Sequence, residues 1–288
     1  MRGYYHLMIN IDAEIFNEFL CKADKCKHSC CKGWEIDIDE DTLEYYKDLD
    51  TELGDDIRQN IHEGDETCFE LTEDKRCPFL KDSGLCKLIE ELGEDALCDI
   101  CRLHPRFYQS IGDYSLAGVG LSCERTCELL FEKTDLRFII EEGEKLIDLI
   151  ELLNLLEINI PKDSLSLSKV VIPYLAEDVV ERILEIFYGT EPIDEKWKDE
   201  VSFIKDHYKE YLGSLDIEKY EIIYQYILFR QLENVKEYGA ERIIDFAAYS
   251  TIYIMLYAKS IQDDIEAVRR WSEQIEYCEE NTRWVIGV

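Results

Sequence analysis

The chain is short of positive charge. It has 32 Lys and Arg against 64 Asp and Glu, a formal net charge of -32 over 288 residues. Nucleic-acid phosphates need Lys and Arg to displace their counterions, so nucleic acid is not an expected partner. Anionic membrane surfaces are excluded on the same ground. No apolar run is long enough to span a bilayer. The start, MRGYYHLMINIDAEIF, lacks a basic region followed by a long apolar stretch, so it does not read as a secretory leader. Internal repeats, low-complexity tracts and basic patches are absent. So are the nucleophile elbow GxSxG, the zinc motif HExxH and the phosphate-binding P-loop. Gly118-Val119-Gly120 lacks the rest of a dinucleotide fingerprint. These absences point to a cytoplasmic protein, where thiols stay reduced.

What the chain has is cysteine. Of its twelve, eleven fall between Cys21 and Cys127, and Cys278 stands apart. In a reducing compartment such a set reads as ligands rather than disulfides. Cys21, Cys26, Cys30 and Cys31 crowd into eleven residues before Gly33-Trp34. The adjacent pair is hard to explain by packing, because the side chains of neighbouring residues rarely point the same way. Thiolates converging on one ion or cluster can use it. Cys77 and Cys86 bracket a Ser83-Gly84 turn, one thiol on each arm. Cys98-x-x-Cys101 has a spacing shared by zinc, iron–sulfur and redox sites. Cys123 and Cys127 share one face of a starting helix. Cys68 reads as a small buried strand residue, and His104 as a hydrogen-bonded or exposed histidine.

Around these lie weaker structural signals. Asp39 or Asp41 can cap a helix carrying Leu43, Tyr46 and Leu49 on one face. KLIEELGEDAL reads as a short helix ending near Gly93, His104-Pro105 stops the next one, and Leu116–Leu121 alternates as a strand. From Phe131 the apolar spacing turns helical through about six segments, starting with residues 136–156. The composition predicts a cysteine-rich, metal-binding half with short strands and loops (residues 1–130). It would pack on an all-α helical half (131–288), making a mainly α protein of two parts or one continuous domain.

Several spaced motifs occur together and in order. They are Cys21, Cys26, Cys30-Cys31 and Gly33-Trp34; then Cys77-Pro78-Phe79-Leu80, Leu85-Cys86, Cys101 and Pro105-Arg106; then Leu121-Ser122-Cys123. This pattern resembles the flagellin lysine-N-methylase family, densely over residues 19–127 and more thinly through 224–232 and 269–281. Its cysteine core also resembles a wider group of zinc- or iron-chelating domains. The resemblance implies eight metal ligands: Cys21, Cys26, Cys30, Cys31, Cys77, Cys86, Cys101 and Cys123. Cys98 and Cys127 are extra to that pattern. His104 stands where the family more often has an aromatic residue, and Glu124 where it has proline.

Eight thiolates suit two four-ligand sites. The irregular gaps and the Cys30-Cys31 pair favour an iron–sulfur cluster, such as 4Fe-4S, over zinc. The CxxxCxxC triplet of radical chemistry is missing. The implied activity is S-adenosylmethionine-dependent methylation of a protein lysine, in flagellin or another lysine-bearing protein. The alternatives are a non-enzymatic metal-binding or redox-sensing interaction protein and a metal carrier. Neither a methyl-donor site nor a catalytic residue is identifiable in the sequence.

Overall fold

The computed structural model describes residues 8–64, 67–140 and 145–288. Residues 1–7, on which the expectation of no secretory leader partly rests, lie outside these. So do 65–66 of an acidic stretch and 141–144 of the first expected helix of the second half. The chain forms two compact units: Leu20–Pro105, and Met1–Phe19 together with Arg106–Val288. Residue 130 falls inside the helix Glu124–Phe131 of the larger unit.

A five-stranded sheet organises the larger unit. Its order is Arg106–Ile111, Tyr114–Val119, Ile9–Ala13, Arg137–Ile140 and Lys145–Asp148. Ile9–Ala13 runs parallel to Tyr114–Val119 and antiparallel to Arg137–Ile140. Alternation along the strands delivers Ile11, Leu116, Phe138 and Ile147 to one buried core. Gly118 is required by packing rather than by a phosphate. A Cβ there would sit 2.5 Å from the Phe107 ring and 2.9 Å from Tyr226 Oη. Tyr226 secures the same strand: its hydroxyl donates to Val119 O at 2.7 Å and accepts from Val119 N–H at 2.8 Å.

The second half is therefore not all-helical. Arg137–Ile140 and Lys145–Asp148, expected to begin a helix, are strands paired from Arg137↔Asp148 to Ile140↔Lys145. Phe138, Ile139, Ile140 and Ile147 are aromatic or β-branched, and Ile9–Ala13 offers the first strand a ladder that the second extends. The helix starts only at Leu149. There Asp148 and Glu151 form a reciprocal capping box, with Glu151 N–H on Asp148 Oδ1 at 2.8 Å.

Beyond it the helical spacing holds, in Glu177–Tyr188, Lys196–Tyr211, Glu221–Arg230, Ala240–Ile261 and Asp264–Ile275. Ala240–Ile261 is buried nearly all round from Phe246 to Ala258, so its neighbours cover every face. Among the described residues no helix is long and apolar enough to cross a membrane.

The smaller unit has its own core of Ile36, Tyr46, Ile57, Phe69, Phe79, Leu88 and Leu97. A three-stranded sheet of Ile36–Asp37, Thr67–Phe69 and Ile61–Glu63 forms one part of it. The helix Glu40–Asp48 begins at Asp39, whose carboxylate accepts Thr42 N–H at 2.9 Å. Thr51 caps Glu52–Gln59 in the same way through Gly54 N–H. The buried Tyr46 hydroxyl donates to Ala96 O at 2.7 Å, tying the first helix to the segment before Cys98.

Candidate functional site

Five thiols pack against the core of the smaller unit, whose backbone brings four separate segments together. After Cys31, Gly33 turns at φ +89, and its N–H donates to Lys75 O at 2.9 Å. Cys77 N–H donates to Cys31 O at 2.9 Å, so these two cysteines lie on paired strands bridged at Lys32 and Arg76. The chain then turns at Ser83-Gly84, with Leu80 bridged to Cys86 and Lys87 N–H on Phe79 O. Gly84 takes φ +83, and an added Cβ would stand 3.2 Å from Asp24 Cα. The loop that carries Cys21 and Cys26 thus lies against the Cys77–Cys86 turn.

Cys86 precedes the helix Lys87–Leu92, which ends at Gly93. Cys98 precedes Asp99–Leu103, with Cys101 N–H returning to Cys98 O at 3.0 Å. Asp39, already capping its own helix, also accepts Asp99 N–H at 2.8 Å and so positions this turn.

Cys77 and Cys98 are buried, and Cys31, Cys86 and Cys101 are half-buried against the same core. The electrostatics show them to be neighbours. Burial pushes the Cys77 thiol up to about 12, with the Cys31, Cys86 and Cys98 thiolates adding to the rise. Burial also raises Cys86. Its hydrogen bond with Cys98 holds the Cys101 proton far above the ordinary range, and the same bond lowers Cys98. Cys31 is lowered first by the Cys30 thiol hydrogen-bonded to it, against the opposing effect of burial. Thiolates so close together in apolar surroundings cannot all ionise unless a cation compensates them.

Among the described residues, no three Cys, His, Asp or Glu side chains are arranged to hold an ion as they stand. The thiols are soft donors of the kind a thiophilic metal takes.

Of the eight cysteines expected as ligands, Cys31, Cys77, Cys86 and Cys101 therefore share one core. Cys21 is exposed, and its Sγ accepts Ala23 N–H; Cys26 and Cys30 follow on the entry loop. Trp34 fastens that loop by donating from Nε1 to Cys30 O at 2.6 Å. Cys123 belongs to the larger unit, at the start of Glu124–Phe131.

Cys98, counted as extra, belongs with the core thiols, and its CxxC spacing was the signal for it. Cys127 is fully buried and donates to Leu121 O, a packing role. Cys68 lies on a strand, as expected, but is half-buried rather than buried. His104 lies against Trp34, their ring centroids 6.1 Å apart. Burial lowers its pKa to about 4 and keeps it neutral.

Comparison with known proteins places this geometry in context. The chain is 27% identical over 133 residues to a lysine-N-methylase of Salmonella typhimurium, a match covering 43% of this chain and 33% of that protein. The resemblance is to the flagellin lysine-methylase family. A lysine-N-methylase of Salmonella choleraesuis matches to the same extent. The flagellar biosynthetic protein FliU of Salmonella muenchen is 28% identical over 126 residues, covering 41% of this chain and 73% of FliU. The match spans about a third of the length of the lysine-N-methylases. No family model matches the chain, and no solved structure does.

Proposed function

We propose that the protein is a cytoplasmic, S-adenosylmethionine-dependent methyltransferase acting on the side-chain nitrogen of a lysine in flagellin or a similar surface protein. The observation that carries this reading is the similarity to lysine-N-methylases of Salmonella. The likeness to FliU supports a flagellar protein as the substrate.

The thiol cluster is the second element of the proposal. Cys31, Cys77, Cys86, Cys98 and Cys101 would hold a metal centre, an iron–sulfur cluster or zinc, with Cys21, Cys26 and Cys30 on the adjoining loop. When bound, such a centre supplies positive charge that compensates the thiolates and cross-links segments distant in sequence.

The remaining chemistry falls to the chain itself. A net charge of -32 draws lysine-bearing surfaces toward the protein. The lysine amine attacks only when neutral, and its ordinary pKa of about 10.4 keeps it protonated at neutral pH. The catalytic pocket must therefore desolvate the amine or offer it a base.

The test is incubation of the purified, metal-replete protein with isotopically labelled methyl donor and a flagellated cell extract. Label recovered on protein lysine supports the reading. Metal binding with no label on any lysine would overturn it in favour of a metal-binding interaction protein.

A further inference from the structure

The larger unit contains a cavity of about 410 Å³ that the thiol chemistry does not use. Its size lies within the range of about 300–1,000 Å³ usual for small-ligand pockets. Arg230, the last residue of Glu221–Arg230, lines it. The guanidinium is held on two sides. Its carbon stands 4.3 Å from the Phe107 ring centroid, and Nε donates to Glu276 Oε1 at 2.5 Å. Glu276 is held in turn, its other oxygen accepting from Ser272 Oγ at 2.6 Å. Arg230 Nη1 is left buried with no hydrogen-bond partner among the described residues. A buried cationic donor without an acceptor is costly, and a water, an ion or a ligand oxygen can supply the acceptor.

The rest of the lining has the opposite charge. Glu233, Glu237, Glu276 and Glu279 face the cavity with Arg230 and Arg283. Arg230 pairs with Glu276, and Arg283 with Glu279 at 2.8 Å. Glu233 and Glu237 form no ion pair with another described residue and leave the site with negative charge in excess. Phe107 and Tyr277 add aromatic surface. A fitting ligand thus has one anionic group for Arg230, cationic charge for Glu233 and Glu237, and a flat or cationic part for the aromatic rings.

We propose that this cavity is the methyl-donor site, with the α-carboxylate of S-adenosylmethionine on Arg230 and its cationic groups toward Glu233 and Glu237. The assignment rests on the methyltransferase reading above and gives that reading a place in the fold. S-adenosylmethionine carries a carboxylate, an ammonium and a sulfonium, so its net charge is positive and suits the excess of carboxylate. A substrate lysine within a protein has no carboxylate for Arg230, which sets the donor apart from the acceptor.

The experiment is calorimetric titration of the intact protein with three compounds: S-adenosylmethionine, its decarboxylated analogue and S-adenosylhomocysteine. Lysine methylation is followed in parallel by mass spectrometry. The donor is expected to bind tightest. Loss of the carboxylate should weaken binding about ten- to hundredfold, as loss of a charged hydrogen bond does. The demethylated product, lacking the sulfonium charge, should bind more weakly and with less salt sensitivity.

The double variant E233Q/E237Q should lose about tenfold in donor affinity with an unchanged melting temperature. Equal affinity for the donor and its decarboxylated analogue overturns the assignment, as does unchanged donor binding in the double variant. In either case methylation by the wild-type protein leaves the proposed function standing elsewhere in the fold. Absence of both donor binding and methylation overturns the assignment and the function together.

Discussion

The carboxylate of Asp39 accepts the backbone N–H of Asp99 at 2.8 Å, across sixty residues of sequence. The same side chain caps its own helix through Thr42 N–H and accepts the Thr42 hydroxyl at 3.0 Å. One carboxylate therefore fixes both the first helix of the smaller unit and the turn that carries Cys98 and Cys101. Asp39→Ala removes two caps of about 1 kcal/mol each and should lower stability by about 2 kcal/mol. Asp41→Ala, on the exposed face of that helix, should cost little. Denaturant unfolding compares the two. Burial pushes the Asp39 carboxyl up, but the hydrogen bonds from Asp99 and Thr42 outweigh it and hold the pKa below its ordinary value. The contribution is thus present above the unfolded carboxylate pKa of about 3.9 and lost as pH falls through the lower folded one.

Chelator-treated protein should show an order of thiol reactivity. Cys31 is held below its ordinary pKa, while burial pushes Cys77 up to about 12. Because the thiolate is the nucleophile, brief alkylation near neutral pH should mark Cys31 well before Cys77. Peptide mass spectrometry reads the order. Equal labelling would mean that the hydrogen bond from Cys30 does not form in solution.

Metal content separates ligands from packing cysteines. Cys77→Ser and Cys98→Ser should lose bound iron or zinc and make the smaller unit sensitive to protease. Cys127→Ser should keep its metal, because that thiol is buried beneath Leu121 in the other core. Cys278→Ser, at the start of the helix Glu279–Gly287, should also keep it. Elemental analysis of anaerobically purified variants measures this, and acid-labile sulfide distinguishes a cluster from zinc. A metal-replete Cys98→Ser protein would remove Cys98 from the ligand set.

Tyr226→Phe tests the sheet. It leaves the N–H and C=O of Val119 buried without their partner, each costing about 1–3 kcal/mol. The variant should unfold at lower denaturant by about 2–4 kcal/mol while keeping its metal. Tyr224→Phe gives up one bond, to Ser164 O, and should cost less.

Local signals carried well from sequence to structure. Asp39 as a cap, the turn at Ser83-Gly84, the stop at His104-Pro105 and the strand before Cys123 each depend on a few adjacent residues. The segment 137–148 did not carry over. Its apolar residues suit either period, and the partner that decides for strand, Ile9–Ala13, lies over a hundred residues earlier. The thiol core was partly legible: Cys31, Cys77, Cys86 and Cys101 of its five cysteines lie among the expected ligands, and Cys98 lies outside that set despite its CxxC spacing. Arg230 and Glu276 were invisible as a pair, since 46 residues separate them, one ending a helix buried on nearly every side and the other just past the end of Asp264–Ile275.

The proposed reaction is methyl transfer from S-adenosylmethionine to lysine. The most direct measurement is mass spectrometry of purified flagellin after incubation with the metal-replete protein and isotopically labelled donor. The account predicts labelled methyl on lysine Nζ, at a rate that rises with pH as the amine loses its proton. No label on flagellin or on any other lysine of a flagellated cell extract, with donor and metal both present, would contradict it.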